Sequence, residues 1–189
     1  MKQFIAIAIA IVFSASFALA QQPEHQDSRP HHHQHDGTHR HGPHDHHHPQ
    51  TPQATQYNAD GIDMVIVAAF PTVKKIQKTE KWTEVYDQSG ALLGYAVYSK
   101  PASDGIKGYA GETPVLIALN PKKVIIGVYA LPNVETPRFA QRVQDAGFYN
   151  NWNGLTIKKA KKKKVDTVSG ATFTSRAVAQ SVQAALEKL

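Results

Sequence analysis

The sequence predicts an α+β domain: a small antiparallel sheet with flanking helices, and a tight turn of small residues leading into the C-terminal helix. Three observations predict it. Two pairs of aromatic and aliphatic runs are each split by turn-forming residues, an apolar stripe at three- and four-residue spacing precedes them, and a longer stripe closes the chain.

Ordered structure is expected from Tyr57 onward. Ile62, Val65, Ile66 and Ala69 recur at helical spacing, and the helix should stop before Pro71, because proline disfavours the helical conformation of its predecessor. Trp82–Tyr86 and Leu92–Tyr98 then read as two strands of a hairpin around Asp87-Gln88-Ser89-Gly90. A second pair, Pro114–Leu119 and Val124–Ala130, flanks Asn120-Pro121-Lys122-Lys123. After Pro137 a helix is predicted, with Phe139, Val143 and Ala146 on one face and Gly147 as its stop. Val178, Val182, Ala185 and Leu189 line a last helix, for which Thr174 or Ser175 is the expected N-cap.

The N-terminal part has a different character. Lys2, the apolar run Phe4–Phe17 and the small residues Ala18-Leu19-Ala20 predict a signal peptide over residues 1–20, the run being short for a membrane span and close to a cleavage site; an uncleaved N-terminal anchor is the alternative. Residues 21–56 are rich in His, Gln, Pro and Asp without apolar periodicity, which predicts a disordered histidine-rich linker ahead of one domain at 57–189. All eleven histidines fall between His25 and His48, so histidine-based catalysis is excluded from the domain. The chain has no cysteine, which excludes disulfides, thiolate metal sites and an acylated N-terminal cysteine.

Six lysines, at 158, 159 and 161–164, equal the formal net charge of +6, so the rest of the chain is close to balanced. No aromatic residue interrupts the run, and no nucleic-acid partner is expected. A solvated charged loop is the simplest reading; docking to an acidic redox partner or a membrane is the functional one.

The most informative stretch is Asp166-Thr167-Val168-Ser169-Gly170-Ala171-Thr172, just ahead of the last helix. Gly170 admits dihedrals closed to other residues, Ala171 leaves room beside the backbone, and the free amides of a helix start suit a phosphate. A hydroxyl placed there has four readings: nucleophile, phosphate ligand, attachment point, or helix cap. A nucleophile would need a base, which without histidine falls to a lysine or a carboxylate.

This stretch resembles the Asp-x-x-Ser/Thr-Gly-Ala-Thr signature of the FMN-binding domain family, which includes the G subunit of Rnf complexes and the C subunit of sodium-pumping NADH:quinone oxidoreductases. Gly108-Tyr109-Ala110-Gly111 with Pro114-Val115-Leu116 is similar to the family's Gly-Tyr-Gly-Gly-x-Ile segment, and Glu135-Thr136-Pro137 to its Glu-Thr-Pro-Gly segment. Together they extend the resemblance over roughly residues 60–189. Ala110 in place of a glycine, and Arg138-Phe139-Ala140 in place of Gly-Leu-Gly, depart from the pattern.

The resemblance implies covalent FMN on Thr172 through a phosphoester, made from FAD by an exported, magnesium-dependent flavin transferase. It further implies that Ser169, Gly170 and Ala171 shape the turn, that Asp166 serves the transferase or its metal, that Glu135 and Thr136 hydrogen-bond the flavin, and that Tyr109 packs on its ring. The expected protein is a stand-alone exported flavoprotein with a membrane or extracytoplasmic redox partner, rather than an enzyme with its own small substrate; no residue is assigned as catalytic. The alternative is an exported metal-binding protein that holds a divalent transition metal on the histidine tract, because imidazole suits Zn, Cu and Ni.

Overall fold

The computed structural model describes residues 53–189, so the expected signal peptide and the histidine tract lie outside the described residues. The elements run α1 (Met64–Ala69), β1 (Lys75–Lys78), β2 (Thr83–Tyr86), β3 (Leu92–Tyr98), β4 (Val115–Leu119), β5 (Ile125–Ala130), α2 (Pro137–Asp145), α3 (Ile157–Lys161) and α4 (Thr172–Glu187), with a 3-10 turn at Phe148–Trp152. The five strands form one antiparallel sheet in sequence order, the α+β architecture expected. Antiparallel neighbours need only a turn between them, so short connections suffice.

Two of those turns are fixed by the first residue of each turn sequence. The Asp87 carboxylate accepts from the amides of Ser89 at 2.8 Å and Ala91 at 2.9 Å, while Asn120 Oδ1 accepts from Lys122 at 2.9 Å and Val124 at 3.0 Å. In each case the side chain imitates a backbone acceptor and closes the hairpin locally.

The sheet is covered on both faces. Val97, Val115, Ile117, Leu119, Ile125 and Val128 pack under Val143, Phe148, Trp152 and the α4 stripe of Val178, Val182, Ala185 and Leu186. On the other face Val85, Ala96, Leu116 and Ala118 meet Ile62, Ile66, Phe70 and Val73, from α1 and its flanks. Consequently β4 is buried at all five positions and reads as a continuous apolar run instead of an alternating one.

Three elements and one cap differ from the sequence expectation. Strand β1, Lys-Ile-Gln-Lys, has only Ile76 partly buried; it is an edge strand, where lysines guard an open ladder, and so lacks an apolar pattern. The 3-10 turn is held by Phe148 and Trp152 in the core, with their rings 5.7 Å apart. The first part of the lysine run is helical and not a loop: Thr156 caps α3, and Ala160 turns into the core. Lastly, neither Thr174 nor Ser175 caps α4. Both lie inside it, and Ser175 Oγ instead accepts from the Val168 amide and donates to the Ala171 carbonyl, each at 2.9 Å.

Candidate functional site

Past β5 the chain runs through residues 131–136 into α2, and one buried carboxylate organises the corner. Glu135 is 4 % exposed. Its Oε2 accepts from the Tyr109 amide at 2.8 Å, and its Oε1 accepts from the amides of Ala110 and Thr136, both at 2.9 Å. A single side chain thus joins two loops that are far apart in sequence, and a buried carboxylate gains the donors that make its burial tolerable. Gly108 makes room for it, since a Cβ there would collide with Glu135 Oε2. Nearby, burial and then the Glu135 charge push the Tyr149 phenol up to about 12.

Around this carboxylate stand aromatic rings and cations. The Tyr109 ring, 56 % exposed, meets Phe139 edge-to-face at 4.8 Å, and the Arg138 guanidinium lies 4.8 Å from the Phe139 ring centre. Thr136 occupies the N-cap of α2 with its side chain making no capping bond, followed by Pro137 at the position that suits proline.

The turn before α4 reaches the same helix. Gly170 adopts φ +75°, and a Cβ on it would collide with Arg142 Nη1, so the Arg142 guanidinium lies over the turn. The Ala171 amide donates to the Val168 carbonyl at 3.0 Å and closes it. Thr172, partly buried, is the first residue of α4, and Ala171 at the N-cap supplies no side-chain acceptor. The leading amides of a sixteen-residue helix are therefore left without a side-chain cap, at its positive end. One residue further on, Phe173 is 61 % exposed with Arg176 beside its ring, and Thr174 Oγ1 is buried without a hydrogen-bond partner. A groove of about 510 Å³, lined by Arg138, Gln141, Arg142, Asp145, Ala146 and Val168, runs between α2 and this turn.

Helix α2 is the common neighbour: it touches Tyr109 through Phe139, follows directly from Glu135 and Thr136, and overlies Gly170 with Arg142. Asp166 and Ser169 are exposed and make no side-chain hydrogen bond among the described residues. Sequence reasoning does not single out Arg142 or Phe173. The signal available is the i, i+4 spacing of Arg138 and Arg142 on one face of the predicted helix. No group of three or more metal-ligating side chains is present among the described residues.

A family model described as FMN-binding domain matches residues 108–187, a span that begins at the Gly108 loop and ends with α4. The G subunit of the proton-translocating ferredoxin:NAD(+) oxidoreductase complex of Clostridium ljungdahlii is 30% identical over 132 residues, which cover 66% of this chain and 68% of that protein. The chain belongs to the FMN-binding domain family. It is also similar to the G subunit of the ion-translocating oxidoreductase complex of Shewanella piezotolerans, 30% identical over 41% of this chain and 42% of that protein. For the G subunit of the same kind of complex in Haemophilus influenzae (strain PittEE) the figures are 34% identity, 48% and 47%. The chain spans less than half the length of these two relatives. Among solved structures, that of Shewanella oneidensis NqrC matches with TM-score 0.38 and 21% identity over 68% of this chain and 70% of that one.

The residues present fit an FMN group. Uncapped helix-start amides and a guanidinium beside a left-handed glycine are the donors a phosphate needs, and exposed aromatic faces suit a flat, partly apolar ring system. The FMN-binding domain and its relation to subunits of electron-transport complexes thus agree with the chemistry of this corner.

Proposed function

We propose that this FMN-binding domain carries its flavin covalently, through a phosphoester on Thr172, and passes electrons in an extracytoplasmic or membrane-associated redox chain. The observation that carries the proposal is the start of α4. A threonine hydroxyl follows closely on a left-handed Gly170 turn, with a row of amides that no side chain caps and the Arg142 guanidinium beside Gly170. A merely structural helix start would be expected to supply its own Ser, Thr, Asp or Asn acceptor there, whereas Ala171 leaves the position open for an anion.

Each residue then has a definite task. Thr172 supplies the ester oxygen, taking the place of AMP on the FMN phosphorus of FAD, a reaction that needs an exported flavin transferase as partner. Ser169 and Gly170 shape the turn, Ala171 leaves room beside it, and Arg142 offsets the phosphate charge. Asp166, being exposed, is open to the transferase or its metal. Glu135 acts through the backbone, holding Tyr109 and Ala110 in place so that the exposed Tyr109 ring would be available to pack on the flavin; Thr136, with no capping bond, has its hydroxyl free for the ring or ribityl chain. FMN, once bound, supplies the one- and two-electron chemistry, and the protein sets its orientation and potential.

The apolar segment at Phe4–Phe17 and the small residues after it support export, with a signal peptide at 1–20, a histidine-rich linker at 21–56 and the domain at 57–189. Outside the cytoplasm a dissociating flavin would be lost, which gives covalent attachment its rationale. The names of the relatives, subunits of ion- and proton-translocating oxidoreductase complexes, support a membrane redox partner. Among the described residues no helix is long and apolar enough to cross a membrane.

The test is peptide mass spectrometry on protein exported from a host that contains the flavin transferase, with Thr172→Ala alongside. A gain of about 438 Da, FMN less water, is expected on the Thr172 peptide and not in the variant. An unmodified Thr172 in that host overturns the covalent assignment and turns attention to metal binding by the histidine tract.

A further inference from the structure

Two segments distant in sequence gather lysines into one exposed cap. The β4–β5 turn carries Lys122 and Lys123. The Gly154 amide donates to the Ile125 carbonyl at 2.8 Å, the Ile125 amide donates to the Leu155 carbonyl at 2.9 Å, and Val124 bridges Thr156. Residues 154–156 therefore lie along the free edge of β5 and deliver α3 beside that turn. Thr156 caps α3 and Ala160 is buried, which leaves Lys158 and Lys159 exposed and Lys161 partly so; Lys162, Lys163 and Lys164 follow, all exposed. Eight ammonium groups share this end, and none forms an ion pair among the described residues.

What such a cap fits follows from what it lacks. A tight, specific protein interface is centred on apolar or aromatic side chains that shed water, with arginine favoured over lysine. The large apolar side chains exposed among the described residues are Tyr57, Met64, Tyr109, Ile126 and Phe173, none of which belongs to residues 120–123 or 156–164. Arg138, Arg142 and Arg176, the arginines of the described residues, all stand on α2 and α4 beside aromatic rings or the Gly170 turn. Lysine alone, a strongly hydrated point charge on a flexible stem, suits a diffuse anionic surface that demands no fixed geometry.

We propose that Lys122, Lys123 and the lysines from 158 to 164 form a docking face for an anionic lipid bilayer. The 120–123 turn then faces the headgroups, and the loop at 108–111 lies beyond the other end of β4, about 16 Å further out at the rise of a five-residue strand. This surface is independent of the flavin assignment: it uses none of the residues placed around Thr172.

The experiment is sedimentation of the full exported chain with vesicles of phosphatidylglycerol and phosphatidylcholine, against phosphatidylcholine alone. Working at about pH 8 with a chelator keeps the histidine tract neutral and metal-free. The anionic vesicles are expected to bind at least about tenfold more tightly, with the preference lost near 0.5 M salt. The variant K122Q/K123Q/K158Q/K159Q should lose about tenfold, whereas K74Q/K75Q/K78Q/K81Q, which removes the same charge around β1, should stay within about twofold. K162Q/K163Q/K164Q, at and just past the C-cap of α3, where Lys162 and Lys163 close the last turn through backbone amides that the substitutions keep, should lose several-fold. Equal binding to both vesicles, equal loss in the two quadruple variants, or capture by a polyglutamate surface without vesicle binding would each overturn the proposal.

Discussion

The two ends of strand β4 carry cationic side chains and use them in opposite ways. At the end where the 108–114 loop enters, a buried carboxylate holds the backbone, and arginines lie against aromatic rings or over a turn. At the other end the cations are exposed lysines, on a turn and a short helix, with no carboxylate paired to them among the described residues and with Lys123 lying over the Trp82 ring. Net charge already separates these regions, and burial and partner geometry separate them further. Structure at the first end depends on single polar groups, so changes there should be costly, whereas changes at the second should alter surface chemistry and leave the fold intact.

Glu135→Ala is the sharpest way to break that contrast. It strands three backbone amides around a buried position, and at about 1–3 kcal/mol for a buried donor left unpaired, partly relieved by water, a loss of about 3 kcal/mol is expected. Urea unfolding reads it as a lower midpoint with unchanged slope. Glu135→Gln, which keeps one acceptor oxygen, should fall between. If both variants unfold like the unmodified protein, the carboxylate is not what holds the two loops together.

Next comes pH. The folded Tyr149 phenol sits at about 12, above its ordinary 10.0, first because of burial and then because of the Glu135 charge. A group raised in the folded state favours its protonated form there, so its stabilisation is complete below pH 10 and disappears as pH rises through 12. Two pH units correspond to about 2–3 kcal/mol. Tyr149→Phe should flatten that part of the alkaline limb in a series of urea melts. A residual slope is expected from Tyr98, also raised, by burial and by Asp63.

How much of this is legible in the sequence follows the same division. Runs such as Leu92–Tyr98 and Val124–Ala130 can be read because apolar strands and Asx turns are local signals. Strand β1 cannot, because an edge strand with one partly buried side chain has no pattern, and in α3 the lysines hide the inward positions of Ile157 and Ala160. At the candidate site, motif residues Tyr109, Glu135, Thr136 and Gly170 are identifiable from resemblance, and the structure brings them around α2. That Glu135 points at backbone amides, or that Arg142 lies over Gly170, depends on contacts between distant segments, which no spacing encodes.

Gly170→Ala has a smaller effect on stability than either change above. The colliding atom is the far end of a flexible arginine, which can swing aside, so the cost is set by φ +75°, about 1 kcal/mol for a residue with a Cβ. Gly170→Asn should cost less, because asparagine tolerates that region. Both should reduce flavin loading on Thr172 more than they reduce stability if the turn serves the cofactor. Loading and stability falling in proportion would mean that it serves only the helix.

The smallest effect is expected at the lysine end, and it separates two terms at one residue. Lys123 sits in the β4–β5 turn with φ 59°, and its Nζ lies 4.8 Å above the Trp82 ring. Lys123→Ala keeps the left-handed backbone and loses an exposed cation–π contact, a cost of about 0.5 kcal/mol. Lys123→Gly loses the same contact but relieves a conformation that disfavours any residue with a Cβ by about 1 kcal/mol, so it should match or slightly exceed the unmodified protein in urea stability. Alanine and glycine variants that are equally stable would show that the turn, and not residue 123, sets that backbone angle. A loss well above 1 kcal/mol in both would make Lys123 part of the packing around Trp82 and erase the contrast between the two ends of β4.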